Sequence, residues 1–495
     1  MRGLLLSGLT VAVLGLWSGC SSSSTNVASG GSGGSDGGGA SGSGGAVGGA
    51  SGSGGDASVD VPAPACDPNE KPDGQAVFVS PDGDDTTGSG SMDKPLKTLG
   101  QALKLAANSG PKLVVADQGN YKESVTFDSK VAGVAVRGGF KKTGSLWARD
   151  CDAAARQKTV IDSPTNVGVR VENVAAKLET LSVQTKAKGA TASGAPGESQ
   201  YGVFVTGDDA SVSLTDVRVV AGAGGDGGDA VKLVASTPVT CDGLAGCGNG
   251  GSGTPGTAGT DAPASTFDLA GHLPGNGADG KPSSSGSNGM AGKDDGTTKT
   301  GCHSPGCAGV CSSGTCGALG TAFSVKGEKG KCGCGGLGGT SGGGGWGGGA
   351  SVALFVSGKG VVTVAFSELA SQVGGKGSAG KAGAIGLEGT DGSKGANVTC
   401  HTNCYSASPC GNCEQNSEIA IGGAKGGLGG KGGDGKPGGN GAGGPSVAIV
   451  RVGGAVVTLS DGSLPNPGKG GFGAGSAPAG KSASELILSA DGGAL

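Results

Sequence analysis

Two cysteine-rich stretches combine thiols and an imidazole at spacings that could hold zinc. The first is CHSPGCAGVCSSGTC at 302–316 and the second is CHTNCYSASPCGNC at 400–413. Thiolate and imidazole are ligands that zinc prefers, and the second stretch ends in a Cys-x2-Cys pair. The same cysteines could instead form disulfides, which an oxidising compartment favours. We favour disulfides because the N-terminus indicates export, and we therefore expect no metal and no other cofactor.

Acid–base catalysis needs carboxylates that converge on one bond, and the sequence offers no such grouping. Its three histidines are His272 and the two that follow Cys302 and Cys400, so no nucleophile–histidine–acid triad can be assembled. Arginines and carboxylates are scattered through the Val-rich region, namely Arg137, Arg170, Arg218, Asp117, Asp128, Asp162, Glu172 and Glu179. We expect no catalytic residue, and these side chains to be solvated turn residues.

The N-terminus predicts export. Arg2 precedes an apolar run, Leu4 to Leu16, that is too short to span a membrane as a helix. The run ends in LWSGC, which resembles a bacterial lipobox, with Trp17 where leucine is usual. That resemblance implies cleavage before Cys20, acylation of Cys20 with chains such as palmitate, and, because serine follows, the outer membrane or cell surface. The alternative is an ordinary signal peptide followed by an incidental cysteine.

The number of cysteines agrees with export. Of the 15 cysteines, one (Cys20) is assigned to lipid, and 15 − 1 leaves an even 14. The disulfide candidates are Cys66, Cys151, Cys241, Cys247, Cys302, Cys307, Cys311, Cys316, Cys332, Cys334, Cys400, Cys404, Cys410 and Cys413. We expect Cys66 to pair with Cys151. Cys241 and Cys247 could close a local loop or pair with Cys332 and Cys334.

The composition excludes one large conventional core. Glycine accounts for 114 of 495 residues, and aromatic residues for only 3%. Glycine usually makes up ~7% of a protein. The formal net charge of -4 is close to neutral, so nothing favours nucleic acid as a partner.

The region after the Ser/Gly-rich N-terminal segment begins with a strand, a Gly/Asp loop and an amphipathic helix. Leu96, Leu99, Leu103 and Ala106 recur at helical spacing. The stretch VFVSPDGDDTTGSGSMDKPLKTLGQALKLAA, from Val77 to Ala107, resembles the first coil of pectin-lyase-like proteins. That resemblance implies a mainly β fold, a right-handed parallel β-helix with an N-terminal capping helix. The short Val-rich strands that follow suit such coils.

An internal repeat supports stacked coils. YGVFVTGDDASVSLTDVRVV from 201, SVALFVSGKGVVTVAFSELA from 351 and SVAIVRVGGAVVTLSDGSLP from 446 share one pattern: strand, Gly turn, strand, then a glycine run. In this alignment Val205, Val356 and Arg451 coincide. A weaker copy begins at 167. We interpret the unit as two strands of a coil, with an exit point after the second.

Long glycine-triplet insertions leave at these exit points. Glycine occupies every third position from 374 to 395, from 423 to 444 and from 327 to 348. Period three matches an extended left-handed helix with 3 residues per turn and ~3.1 Å rise. Three structures fit the triplets: a collagen-like trimer, a disordered low-complexity loop, or a polyglycine-type bundle whose neighbouring legs belong to one chain. We favour the bundle, with 374–397 paired to 423–446.

We therefore expect seven segments: a signal peptide at 1–20, a tether at 21–65, β-helix coils at 66–220, an insertion at 221–350, a coil at 351–373, an insertion at 374–446, and a last coil and tail at 447–495. The expected function is that of a lipid-anchored envelope protein, structural or adhesive, in contact with polysaccharide or other cell-surface components and not an enzyme. The alternatives are a carbohydrate-active enzyme of the polysaccharide lyase or glycosidase type, and ice or solid-surface binding through a glycine bundle.

Overall fold

The described part of the chain is mainly β. The computed structural model describes residues 61–108, 110–231, 233, 246–302, 323–406 and 413–492. The helices are α1 (Leu99–Ala107) and α2 (Ala155–Lys158). The strands are β1 (Val77–Val79), β2 (Leu113–Asp117), β3 (Gly119–Tyr121), β4 (Val125–Phe127), β5 (Ala135–Thr143), β6 (Leu146–Arg149), β7 (Thr159–Asp162), β8 (Val167–Glu172), β9 (Ala175–Gln184), β10 (Gln200–Thr206), β11 (Ser211–Ala221), β12 (Thr266–Asp268), β13 (Gly271–Leu273), β14 (Thr298–Cys302), β15 (Phe323–Lys326), β16 (Ser351–Gly358), β17 (Val361–Ala365), β18 (Glu368–Ser371), β19 (Val398–Ser406), β20 (Cys413–Ala420), β21 (Ser446–Gly453), β22 (Val456–Ser460), β23 (Leu464–Asn466) and β24 (Ser482–Leu488).

Two sheets carry most of these strands. Sheet A runs in the order β1-β2-β5-β9-β11-β17-β22, with β3, β6, β7, β18 and β23 attached to it. Sheet B runs in the order β24-β21-β16-β10-β8-β4. Strands adjacent in either order pair in parallel, and the attached β6 pairs antiparallel with β5. Three antiparallel hairpins, β12–β13, β14–β15 and β19–β20, lie outside the two sheets.

Four consecutive segments follow one path and are called repeats 1 to 4: residues 167–184, 200–221, 351–371 and 446–466. Each begins with a strand of sheet B, turns a corner and continues in sheet A. The sequence predicted two strands per repeat. The structure adds a third segment, because the sheet A strand bends in the middle and pairs again beyond the bend, as β11 does first with β17 and then with β18.

Left-handed residues produce both changes of direction and stack in register from repeat to repeat. The corner residues are Asn173 (φ 53°), Gly207 (φ 103°), Gly358 (φ 80°) and Gly453 (φ 82°). The bend residues are Thr180 (φ 51°), Asp216 (φ 56°), Phe366 (φ 52°) and Asp461 (φ 51°). A left-handed non-glycine residue costs ~1–2 kcal/mol. Four such residues at one position indicate that the surrounding pairing enforces the bend.

The main core lies between the two sheets, where alternate strand residues point inward. The aligned, fully buried side chains form continuous columns through the repeats: Val203, Leu354 and Ile449 from sheet B, and Leu178, Leu214 and Val364 from sheet A. Each column adds only one aliphatic side chain per repeat. A thin core of this kind is consistent with a chain that has few aromatic residues.

Helix α1 covers the first strands of this core with Leu99, Ala102, Leu103 and Ala106. It begins at Leu99, and not at Leu96 as the spacing suggested, because two capping groups converge there. The Thr98 hydroxyl accepts from the Gln101 N–H, and the Glu123 carboxylate accepts from the N–H groups of Leu99 (2.7 Å) and Gly100 (2.9 Å). Leu96 instead forms a parallel bridge with Val79.

The outer face of sheet B is covered by the β12–β13 hairpin, which belongs to the first glycine-rich insertion. Phe267 of the hairpin is fully buried, and its ring centroid lies 6.2 Å from that of Phe355 in β16. Tyr201, Phe204, Val352 and Val450 complete this second cluster. The insertion is therefore packed onto the repeats by an apolar contact of its own.

Candidate functional site

Five glycine-rich legs lie side by side and form one bundle. In chain order they are leg 1 (246–262), leg 2 (275–296), leg 3 (327–349), leg 4 (374–397) and leg 5 (422–444). None of them is a β-strand, and yet backbone hydrogen bonds join them at every third residue. Leg 5 is bonded to each of the other four. The contacts arrange legs 4, 5 and 1 in one layer and legs 3 and 2 in a second.

Legs 3, 4 and 5 exchange hydrogen bonds in a closed cycle. Gly336 N–H in leg 3 donates to the Gly430 carbonyl in leg 5 at 2.8 Å. Gly432 N–H in leg 5 donates to the Leu387 carbonyl in leg 4 at 2.9 Å, and Leu387 N–H donates back to the Leu337 carbonyl in leg 3 at 2.8 Å. The cycle recurs every three residues, so backbone hydrogen bonds are the regular links between the three legs.

Glycine is required at the contact positions because the backbones approach too closely for a side chain. A Cβ added at Gly342 would lie 1.7 Å from the Lys381 carbonyl oxygen, and one at Gly432 would lie 1.9 Å from the Leu337 oxygen. Real Cβ atoms do not approach backbone atoms this closely, so a side chain could enter only if the legs moved apart. The triplet phase therefore marks the edge that each leg turns toward its neighbours.

The number of glycines per triplet indicates how many edges of a leg pack closely against the backbone of other legs. Legs 3 and 5 carry two in most triplets, because a second edge also meets backbone: a Cβ at Gly335 would lie 1.9 Å from the Gly286 oxygen, and one at Gly430 would lie 2.1 Å from the Gly251 oxygen. Leg 4 has one glycine in each triplet after the first, and its Ala382, Ile385 and Glu388 are exposed. It is an outer leg.

Short polar side chains of leg 2 accept hydrogen bonds from backbone amides of leg 3. These acceptors stand three residues apart, apart from a proline at 282: Asn276 accepts from Gly347 N–H (2.9 Å), Asp279 from Gly344 (2.7 Å), Ser285 from Gly338 (3.4 Å) and Asn288 from Gly335 (3.0 Å). Asp434 of leg 5 does the same for Gly386 of leg 4 at 3.1 Å. Unpaired buried amides are costly, so this ladder contributes directly to the stability of the bundle.

Disulfides occur both in the N-terminal β region and in the glycine bundle. Cys66 pairs with Cys151, the pair expected from the sequence, and Cys247 pairs with Cys332, which links leg 1 to leg 3. Cys334 and Cys400 are also disulfide-bonded. Cys20, Cys241, Cys307, Cys311, Cys316 and Cys410 lie outside the described residues, as do the side chains of Cys302, Cys404 and Cys413, so the zinc alternative at the two tips falls outside them too.

His272 lies in the β13 strand of the hairpin on sheet B, in contact with two polar side chains. Its Nδ1 is 3.0 Å from the Ser199 hydroxyl, and its backbone N–H donates to the Tyr201 hydroxyl at 2.8 Å. Burial lowers the pKa of His272 to about 3. No carboxylate hydrogen-bonds to the ring within the described residues, and its buried Nε2 has no partner there. We interpret the contact as a latch that fixes the hairpin.

The arginines that look isolated in sequence are paired in the structure. Arg218 bonds Glu368 at 2.9 Å with both side chains buried, and Arg137 lies 3.3 Å from Glu179. Arg156 bonds Asp216 at 3.1 Å. Burial raises the pKa of Asp216, while the facing guanidinium acts in the opposite direction. The expectation of solvated turn residues was therefore wrong for Arg218, because register stacks it on Glu368.

The outer face of sheet A is open across repeats 2 to 4. Its outward side chains form three aligned columns: Ser211, Val361 and Val456; Ser213, Thr363 and Thr458; and Thr215, Ala365 and Ser460. A shallow groove of about 190 Å³ crosses this surface between Lys177 and Thr363. We call these nine residues the hydroxyl face. They carry no charge, and charged outward residues of the neighbouring strands begin with Lys177, which is bonded to Glu179 at 2.6 Å.

The described residues hold neither a metal-binding cluster nor a membrane-spanning helix. Residues 61–302 and 323–492, apart from the gaps given above, contain no group of three or more histidine, cysteine or acidic side chains able to hold a metal ion. Within the same residues no helix combines the length and the apolar character of a membrane span.

Comparison of the chain with protein-family models, with curated proteins and with solved structures finds no match.

Proposed function

We propose that the chain is an exported protein, anchored in the outer membrane or at the cell surface through lipid on Cys20, with a structural or adhesive role. In this proposal the repeats form a right-handed parallel β-helix with a capping helix. The five legs form a polyglycine-type bundle carried by that β-helix. The proposal assigns no catalysis to either part.

One observation carries the proposal: the interior of the bundle is made of backbone. Because glycine edges and amide–carbonyl bonds fill the contacts between legs, the remaining triplet positions form its outer surface. Those positions hold polar residues such as Ser252 and Thr257, ion pairs such as Lys431–Glu388, and some exposed apolar side chains, namely Met290, Ile385, Leu387 and Leu428. A rigid body with a broad, nearly neutral surface suits contact with other surfaces and not the binding of a small substrate.

The pairing of the charged residues favours this proposal over a carbohydrate-active enzyme. Arg218, Arg156 and Arg137 face carboxylates at bonding distance. A lyase or glycosidase needs such groups free to reach the sugar. Nothing in the described residues favours the enzymatic alternative.

The anchor is tested with a Cys20→Ser variant in cells fed a palmitate analogue. Wild-type protein should incorporate the label and fractionate with outer membranes, and the variant should do neither. The matched control is Cys66→Ser, which should keep the label. Equal labelling of wild type and Cys20→Ser would contradict the anchor.

The adhesive role is tested by displaying the full chain on cells and measuring their retention on polysaccharide-coated, protein-coated and cell-coated surfaces. Retention should exceed that of cells expressing Cys20→Ser. If the purified chain released sugars from pectin-like, alginate-like or chitin-like polymers, the non-catalytic proposal would be wrong.

A further inference from the structure

The three sides of the stacked repeats differ in what covers them. Sheet B is covered by the β12–β13 hairpin. The bend beside sheet A is covered by α2 and residue 61, where Arg156 donates to the Phe366 and Val61 carbonyls. The hydroxyl face is the side left open within the described residues: Val361 and Val456, which lie in strands of sheet A, are each 43% exposed. An open, regular sheet face is a candidate contact surface.

The three hydroxyls of the central column are open to a ligand, whereas the Ser460 hydroxyl at the edge of the face donates to Asp461 Oδ2 at 2.9 Å. Ser213, Thr363 and Thr458 stand directly opposite one another in β11, β17 and β22. Within the described residues none of the three side chains has a hydrogen-bonding partner. Each hydroxyl can donate one hydrogen bond and accept others. Parallel strands lie ~4.8 Å apart, so the column presents a donor–acceptor group at that repeat.

The charge and shape of the face restrict the ligand. Its nine residues carry no charge, and Lys177 on the neighbouring strand is already bonded to Glu179 at 2.6 Å. An anionic polymer would meet no unpaired positive charge on this face, whereas a neutral polymer requires none. All nine side chains are short, so the face is flat, and the methyl groups of Val361 and Val456 alternate with the hydroxyls.

We propose that the hydroxyl face binds a neutral, extended β-1,4-linked polysaccharide that runs along the stack of repeats. One sugar residue of such a chain advances by about the strand spacing, so successive sugars meet successive repeats. Sugar hydroxyls bond the Ser213–Thr363–Thr458 column, and sugar C–H groups contact Val361 and Val456. This inference rests on the proposed adhesive function, since each contact is weak and many anchored copies bind together.

The test is retention of the purified full-length chain, in detergent, on insoluble cellulose and chitin, with alginate and polygalacturonate beads as anionic comparators. Wild type should be retained on a neutral polymer and not on the anionic ones. The variant S213A/T363V/T458V, which removes the hydroxyls and keeps the shape, should lose at least tenfold in retention. The matched variant S252A/T257V/T260V on leg 1 should bind like wild type.

Equal binding by S213A/T363V/T458V and wild type would overturn the inference and leave the adhesive function standing on another surface. Loss only in S252A/T257V/T260V would assign binding to the bundle. If the chain were retained only on the anionic beads, the ligand would not be a neutral polysaccharide and the inference would be wrong. A wild-type chain that bound no polymer would overturn the inference, and the adhesion assay on displayed cells would then decide the proposed function separately. A melting curve for each variant excludes loss of fold as the cause.

Discussion

Arg451 and Glu485 form an ion pair, with 3.1 Å between Nη1 and Oε1, at the end of the stacked repeats. By register Arg451 continues the column of Val205 and Val356, and Glu485 continues that of Ile449. Both preceding columns are fully buried. Inward-pointing charges are a recognised way to stop strands from adding at a sheet edge. The pair therefore ends the apolar interior where β22 and β24 would otherwise expose it.

Replacing the pair by apolar residues should cause self-association. Arg451→Val with Glu485→Leu extends the apolar columns to an end where Leu459 is already 40% exposed. Sedimentation should show species larger than wild type, while Arg451→Lys should behave like wild type. The ion pair is partly exposed, so the free energy of unfolding should change by only about 1 kcal/mol or less. Identical sedimentation of the double variant and wild type would contradict this role.

Glycine at the inner contacts should be essential and glycine elsewhere in the same leg should not. Gly432→Ala places a Cβ 1.9 Å from the Leu337 oxygen, whereas at Gly427 the nearest atom lies at 3.3 Å. Gly432→Ala should lower the free energy of unfolding by about 1–3 kcal/mol, the usual cost of overpacking. Gly427→Ala should cost clearly less. Chemical denaturation compares the two variants, and equal losses would argue against close leg packing.

Two of the disulfides close loops of equal length. Cys66–Cys151 and Cys247–Cys332 both join residues 85 apart, so their effects on the unfolded chain should be similar, about 2–4 kcal/mol each. Their local effects should differ. Cys247→Ser/Cys332→Ser should raise amide exchange in legs 1 and 3, and Cys66→Ser/Cys151→Ser should leave those legs protected. Exchange that rose equally in the legs of both variants would contradict the placement of the second disulfide.

The free energy of unfolding should decrease as the pH falls below 6.5, because His272 takes up a proton more readily in the unfolded chain. The pKa of His272 is about 3 in the folded chain and 6.5 when unfolded. Between these values the unfolded chain binds a proton that the folded chain does not, so protonation favours unfolding, by at most ~1.4 kcal/mol per pH unit. His272→Asn should flatten this slope relative to wild type, as measured by denaturation at pH 6.5 and pH 4.5. Parallel slopes would show that His272 titrates normally.

The sequence predicted the structure best where a short residue pattern repeats many times. Eight consecutive triplets beginning at Gly374 predicted an extended leg, and the pairing of 374–397 with 423–446 follows from their shared phase. The shared phase does not reveal that leg 3 also bonds to both of these legs, because leg 3 lies in the other insertion. The two glycines per triplet in GLGGTSGGGGWGGG indicate it, because a second bare edge allows a leg to pack against additional neighbours.

Other features depend on contacts that leave little pattern in the sequence. The β12–β13 hairpin has two three-residue strands, too short for alternation to be recognised, and its position on sheet B depends on the buried Phe267 and the contacts of His272. The bends at Thr180, Asp216, Phe366 and Asp461 have no residue type common to all four. Each is imposed by the pairing on both sides, so tertiary structure overrides local preference there.

Backbone hydrogen bonds at every third residue hold legs 4 and 5 in the bundle. Residue-resolved amide exchange measures this periodicity. We expect slow exchange at Lys381, Ala384 and Leu387, whose N–H groups donate to leg 3, and fast exchange at Ala382, Ile385 and Glu388 between them. Uniformly fast exchange from 374 to 397 with the disulfides intact, or protection without a period of three, would contradict it.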